Sequence, residues 1–153
     1  MRANLIQLSL GLVAVLLSCA ASAIPTNAAS AGIESIMDDI LSGQREHFQS
    51  ISIETESVLS PLYESRDYRR AWTDQQTTEE ILGLLRDSYL EGLDPNDYHY
   101  DHLLELADEL GELEQSDPSA LARFDILLSD AVLLYARHML EGKVNPEPME
   151  YAW

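Results

Sequence analysis

Ile126-Leu127-Leu128-Ser129-Asp130-Ala131-Val132-Leu133-Leu134-Tyr135-Ala136-Arg137 is the stretch that decides the fold of this chain. It lies inside a longer run, Pro118 to Glu141, that opens on Ser116-Asp117-Pro118 and closes on Gly142. Proline just inside the start and glycine just past the end are the punctuation of a helix. Within the run, Leu121, Phe124, Leu128, Ala131 and Tyr135 fall on one line, while Ile126, Leu127, Leu133 and Leu134 fall off it. A helix apolar on more than one face must be covered on more than one face, so this helix is predicted to be the centre of a small bundle.

Outward from that helix the pattern stays helical. Leu103, Leu104, Leu106, Ala107, Leu110 and Leu113 recur at helical spacing from Asp101 to Glu114, with Gly111 a mild weakness. Thr78 to Glu91 reads as a further helix with Ile81, Leu82, Leu84, Leu85, Tyr89 and Leu90 on one broad apolar face, and Thr77 with Glu80 as its capping box. Gly92 supplies a left-handed residue after it, Leu93 folds back on the last turn, and Asp94-Pro95 restarts the chain with a cap and a first-turn proline. Ile33, Ile36, Met37, Ile40 and Leu41 mark an amphipathic helix that Gly43 ends, and Gln44 to Ser60 reads as a loop. No strand alternation or repeat intervenes. The fold class expected is all-α, a small helical bundle with a central C-terminal helix, preceded by a cleaved signal peptide.

That signal is Met1 to Ala23: a short start with Arg2, an apolar core from Leu5 to Leu17, and Ala21-Ser22-Ala23 before the cleavage point at Ala23. The apolar core falls short of the roughly 20 residues a membrane helix needs, so no transmembrane segment is expected after processing. Cys19, the single cysteine, follows Leu16-Leu17-Ser18 and fits a lipoprotein acylation site as well as it fits a small residue in a discarded signal. The protein is expected to be exported, either free or lipid-anchored through Cys19. Residues 24–31 are small and polar and read as a flexible tether, residues 32–56 as a helix and loop lead-in, and residues 57–153 as the main domain.

Composition narrows the partners. The 153 residues carry 27 acidic and 9 basic side chains, a formal charge of −18, and loss of the signal with its Arg2 makes this −19. Such a field repels a phosphate backbone, because nucleic-acid affinity rests on lysine and arginine releasing counterions. It equally opposes binding of anionic lipid or of other carboxylate-bearing partners by charge alone, so any such contact would use aromatics or backbone groups.

Three stretches, in order, carry a resemblance. Pro61-Leu62-Tyr63-Glu64-Ser65-Arg66-Asp67-Tyr68-Arg69-Arg70-Ala71-Trp72-Thr73 is followed by Ser88-Tyr89-Leu90-Glu91-Gly92-Leu93-Asp94-Pro95-Asn96-Asp97-Tyr98-His99, and then by the run through Gly142-Lys143-Val144-Asn145-Pro146 to Tyr151-Ala152-Trp153. Together they resemble the helical scaffold domain that precedes the catalytic domain of periplasmic L,D-transpeptidases, the peptidoglycan cross-linking family. Arg70 stands where that family often has proline. The resemblance implies a non-catalytic scaffold, truncated or split from its catalytic domain, with such a domain, other cell-wall enzymes or peptidoglycan as partners. The alternative is a free-standing periplasmic helical module that binds a protein partner.

No catalytic, cofactor or metal residue is assigned. L,D-transpeptidation needs an activated thiolate, and the family's Ser-x-Gly-Cys-x-Arg run has no counterpart in these residues. His99 and His102 beside Asp97 and Asp101 have a spacing that evokes a metal, but solvated polar residues at a helix entry are the plainer reading. Ser129-Asp130 is a poor nucleophile pair, since neighbouring helical residues diverge, and the serine is expected to let two helices approach. Asp38-Asp39, Glu79-Glu80 and Asp108-Glu109 read as solvated faces. Trp72, Tyr68, Tyr98 and Trp153 are the aromatics best suited to meet a neighbouring domain or glycan, with core packing favoured for Trp72.

Overall fold

A computed structural model describes residues 27–43, 48, 51–112 and 117–143. The expectations for the signal peptide, Cys19, Ala23 and the tail to Trp153 lie outside these residues. The described chain forms five α-helices: α1 (Asn27–Leu41), α2 (Glu56–Glu64), α3 (Gln75–Arg86), α4 (Tyr100–Glu112) and α5 (Pro118–Glu141). Two 3₁₀ turns, Asp87–Glu91 and Pro95–Tyr98, link α3 to α4, and no strand occurs among the described residues. The protein is all-α.

α5 is the axis of the bundle, as its sequence predicts. The Asp117 carboxylate caps it by accepting from the Ser119 N–H at 2.8 Å, and Gly142 closes it at φ 84. Every residue from Phe124 to Val132 is buried. Each of the other four helices, and the second 3₁₀ turn, packs directly on α5. α1 makes the most extensive of these contacts, and at its Gly32 an added Cβ would stand 3.1 Å from the Ala122 Cβ.

Four local expectations are corrected. α1 begins at Asn27, and Ala29 is buried, so the distal part of the stretch read as a tether belongs to the bundle. α2 occupies the end of the segment read as a loop; it is short, polar and interrupted by Pro61, which leaves little periodicity to detect. α3 is capped by Asp74 rather than Thr77: the Thr77 N–H donates to the Asp74 carboxylate at 2.7 Å, and this bond lowers the Asp74 pKa. Glu80 instead accepts from the Gln76 side chain at 2.9 Å. After Arg86 the winding tightens to 3₁₀, which rotates Tyr89 and Leu90 off the apolar face and into solvent. The exit from that turn is as expected, with Gly92 left-handed at φ 78 and the Leu93 N–H bonded to the Ser88 carbonyl.

Candidate functional site

The unusual chemistry of this bundle lies on α5 itself. Asp125, Ser129 and Asp130 have no measurable exposure in the middle of an apolar helix. A carboxylate so placed must find donors, because burying an unpaired charge costs far more than one helix contributes.

Asp125 finds them in the segment leading into α3. Its Oδ1 accepts from the Ala71 N–H at 2.8 Å and the Tyr63 hydroxyl at 2.8 Å, and its Oδ2 accepts from the Trp72 N–H at 3.0 Å. Arg70 adds an ion pair at 3.5 Å between Nε and Oδ2, while its Nη2 donates to the Trp72 carbonyl. Burial raises the Asp125 pKa against the pull of these donors. The buried Tyr63 hydroxyl is held well above its ordinary pKa, first by burial and then by the charge of Asp125, so it remains a donor. Ser129 completes the cluster: its Oγ accepts from Trp72 Nε1 at 2.9 Å and donates to the Asp125 carbonyl at 2.9 Å. The serine is therefore a hydrogen-bond junction between the Trp72 indole and the α5 backbone and not a gap for helix approach.

One residue further along α5, Asp130 serves a second irregular segment. Its Oδ1 accepts from the Thr55 N–H at 2.8 Å, the Thr55 hydroxyl at 2.6 Å and the Glu54 N–H at 3.1 Å. Its Oδ2 lies 2.8 Å from His99 Nε2. Thr55 precedes α2 yet makes no side-chain cap to that helix, because its hydroxyl is committed to Asp130. His99 adopts a left-handed backbone, φ 59, which turns its ring inward across the entry to α4.

A third polar contact sits at the far end of α5. Tyr98, fully buried, packs edge-on to Tyr135 with ring centroids 5.3 Å apart, and its hydroxyl is 3.0 Å from His138 Nδ1. Burial pushes the Tyr98 hydroxyl up to about 12, so it keeps its proton beside the imidazole. Lys143 pairs with Asp97 beside them.

The aromatics singled out from the sequence thus have different fates. Trp72 and Tyr98 are core residues, Tyr98 against expectation; Tyr68 is half-buried; Trp153 lies outside the described residues. His99 and His102 separate, the first bonded to Asp130 and the second exposed. No group of three or more histidines, cysteines or carboxylates among the described residues is arranged to hold a metal. Of the carboxylate pairs, Glu109 is drawn into an ion pair with Arg123 at 3.2 Å. The Asp125 and Asp130 anchors themselves went unread, although a signal existed: a carboxylate on a helix apolar all round has no solvated face to occupy.

Chemically, these side chains spend their hydrogen bonds inside the fold. Asp130 and His99 have the contact of a carboxylate orienting an imidazole, but the adjacent Thr55 hydroxyl donates to the carboxylate and not to the histidine. Asp125 is enclosed by its own donors. No described helix is long and apolar enough to cross a membrane.

A family model described as a scaffold domain matches residues 57–153, from the first turn of α2 to the final residue. No curated protein and no solved structure matches the chain.

Proposed function

Because this chain belongs to the scaffold-domain family found in L,D-transpeptidases, we propose that it is an exported, non-catalytic support for peptidoglycan cross-linking by such an enzyme. What carries the reading, beyond the family, is the inward commitment of three polar side chains at the middle of α5: Asp125, Ser129 and Asp130 are buried and bonded to the chain's own irregular segments. The result is a rigid helical block with its polar groups used to fix its shape. The thiolate that transpeptidation requires then comes from a catalytic domain, joined to this chain or separate from it. We place the protein in the periplasm, released after Ala23 or anchored through an acylated Cys19. Mass spectrometry of the mature N-terminus distinguishes these two forms, and an intact Met1 on the exported protein overturns both.

The functional test has two arms. Incubated with tetrapeptide donor and acceptor stems, the 153-residue chain alone gives no cross-linked product, with or without Cys19→Ser. Added to an L,D-transpeptidase catalytic domain, it raises that domain's melting temperature or product yield. Product from the repurified chain alone overturns the non-catalytic reading, and an unchanged catalytic domain overturns the support role.

A further inference from the structure

Asp97, Tyr98 and His99 are consecutive, and each holds a different level of α5 or of the chain just beyond it. His99 Nε2 lies 2.8 Å from the Asp130 carboxylate, the Tyr98 ring packs edge-on to Tyr135 and His138, and Asp97 pairs with Lys143. From His99 back to Asp97, the contacts climb about three turns of helix to the C-terminal end of α5. The three residues form a clasp over that end.

The clasp is itself rigid. Pro95 presets the backbone of the 3₁₀ turn, the Asp94 carboxylate accepts from the Asn96 N–H at 3.0 Å, and the Asp97 N–H donates to the Asp94 carbonyl at 3.0 Å. His99, left-handed at φ 59, closes the turn by donating its N–H to the Asn96 carbonyl at 3.2 Å. Tyr98 has no exposure, so its ring cannot swing clear of α5 without opening the core. The Asp97 carboxylate is therefore presented at a set place beside the helix end.

Its partner is held as well. The Gly142 N–H donates to the His138 carbonyl at 2.9 Å, and Gly142 then leaves the helix at φ 84 and ψ 145, a conformation costly for any other residue. Lys143 follows directly. It is the single lysine of a chain with 27 acidic side chains, and the acid it meets is Asp97, 46 positions away. A surface ion pair ordinarily contributes little, because two side chains lose freedom to form it. Here part of that freedom is already gone, since the turn fixes the carboxylate and the helix end fixes the lysine backbone, and the two side chains are only 40% and 35% exposed.

We propose that this clasp fixes the direction in which the chain leaves the bundle, with the Asp97–Lys143 pair as the contact that holds Gly142 and Lys143 in line. For a support joined to a catalytic domain, as proposed above, a fixed exit sets how that domain is carried; the fixed exit itself does not depend on the support role.

Backbone ¹⁵N relaxation of the full chain reads the exit directly. The Gly142 and Lys143 amides should have order parameters of about 0.85, as rigid backbone does. In Asp97→Asn, and separately in Lys143→Gln, they should fall below about 0.6, while the melting temperature and the amide signals of the rest of the bundle keep their parent values. Exchanging the charges, Asp97→Lys with Lys143→Asp, should restore the order. Arg86→Gln breaks a different ion pair, that of Arg86 with Asp87 at the end of α3, and should leave both amides unchanged. Order parameters below about 0.6 in the parent overturn the clasp, as do parent values in Asp97→Asn and Lys143→Gln. Low values that the charge exchange fails to raise overturn the pair as the holding contact. Any of these failures leaves the support role standing, because that role is tested on a catalytic domain.

Discussion

Asp130 is the residue on which the entry to α2 and the entry to α4 both depend. It accepts from two backbone N–H groups, a hydroxyl and an imidazole. Asp130→Ala leaves those donors buried without a partner, and the loss should be about 3–5 kcal/mol by urea denaturation, the range for breaking a buried charged contact. Thr55→Val removes one hydrogen bond to a charged acceptor at nearly constant shape, and should cost about 1.5–3 kcal/mol. Asp125 makes a pH-dependent prediction. Its native pKa is raised by burial, so the folded state holds a proton there more readily than the unfolded chain does. The stability this contributes is fully present below about pH 4, the ordinary aspartate value, and is lost as pH rises through the raised native value. Stability of the parent relative to Asp125→Asn should therefore fall across that window, measured by denaturation at stepped pH.

At the scale of the element, two glycines with open space around them should respond in opposite directions. Gly92 ends a 3₁₀ turn at φ 78, and a Cβ there meets nothing within 4 Å, so Gly92→Ala suffers only the left-handed backbone penalty of about 1–2 kcal/mol. Gly83 lies in the interior of α3, also with nothing within 4 Å, so Gly83→Ala should stabilise by about 0.5–1 kcal/mol. Thermal melts of the two variants compare them directly. The last turn of α5 adds a proton-sensitive contact. Burial, then Arg137 and Lys143, lower the His138 pKa, so the folded state favours the neutral ring, whose Nδ1 lies 3.0 Å from the Tyr98 hydroxyl. That contribution is complete above about pH 6.5, the unfolded value, and disappears as pH falls through the lowered native value. The His138 ring should titrate below 6.5 by NMR, and amide exchange in the last turn of α5 should accelerate below its midpoint.

For the molecule as a whole, stability resides in the cover around α5. Leu128 has no exposure, and Leu128→Ala should cost about 2–5 kcal/mol. Leu90, at 68% exposure, should change stability by less than about 0.5 kcal/mol when cut to alanine. Similar losses at both positions would mean that the 3₁₀ corner packs more deeply than its exposure indicates.

Periodicity and punctuation were enough to read the all-α class, the central place of α5, its Asp117-Pro118 start and the Gly92 corner. These follow from contacts between residues a few positions apart, where spacing and backbone preference act directly. α2 was not legible, because nine residues with an internal proline hold little periodic signal. The positions of Tyr89 and Leu90 were misread because a change from α to 3₁₀ winding rotates every later side chain. The polar anchors belong to tertiary structure alone. Asp130 meets Thr55 across 75 positions and Asp125 meets Tyr63 across 62. The sequence of α5 shows that its two aspartates must be satisfied, since an apolar helix offers them no water. Which donors satisfy them was decided only when the irregular segments before α2, α3 and α4 closed over the helix and brought their N–H groups within bonding distance.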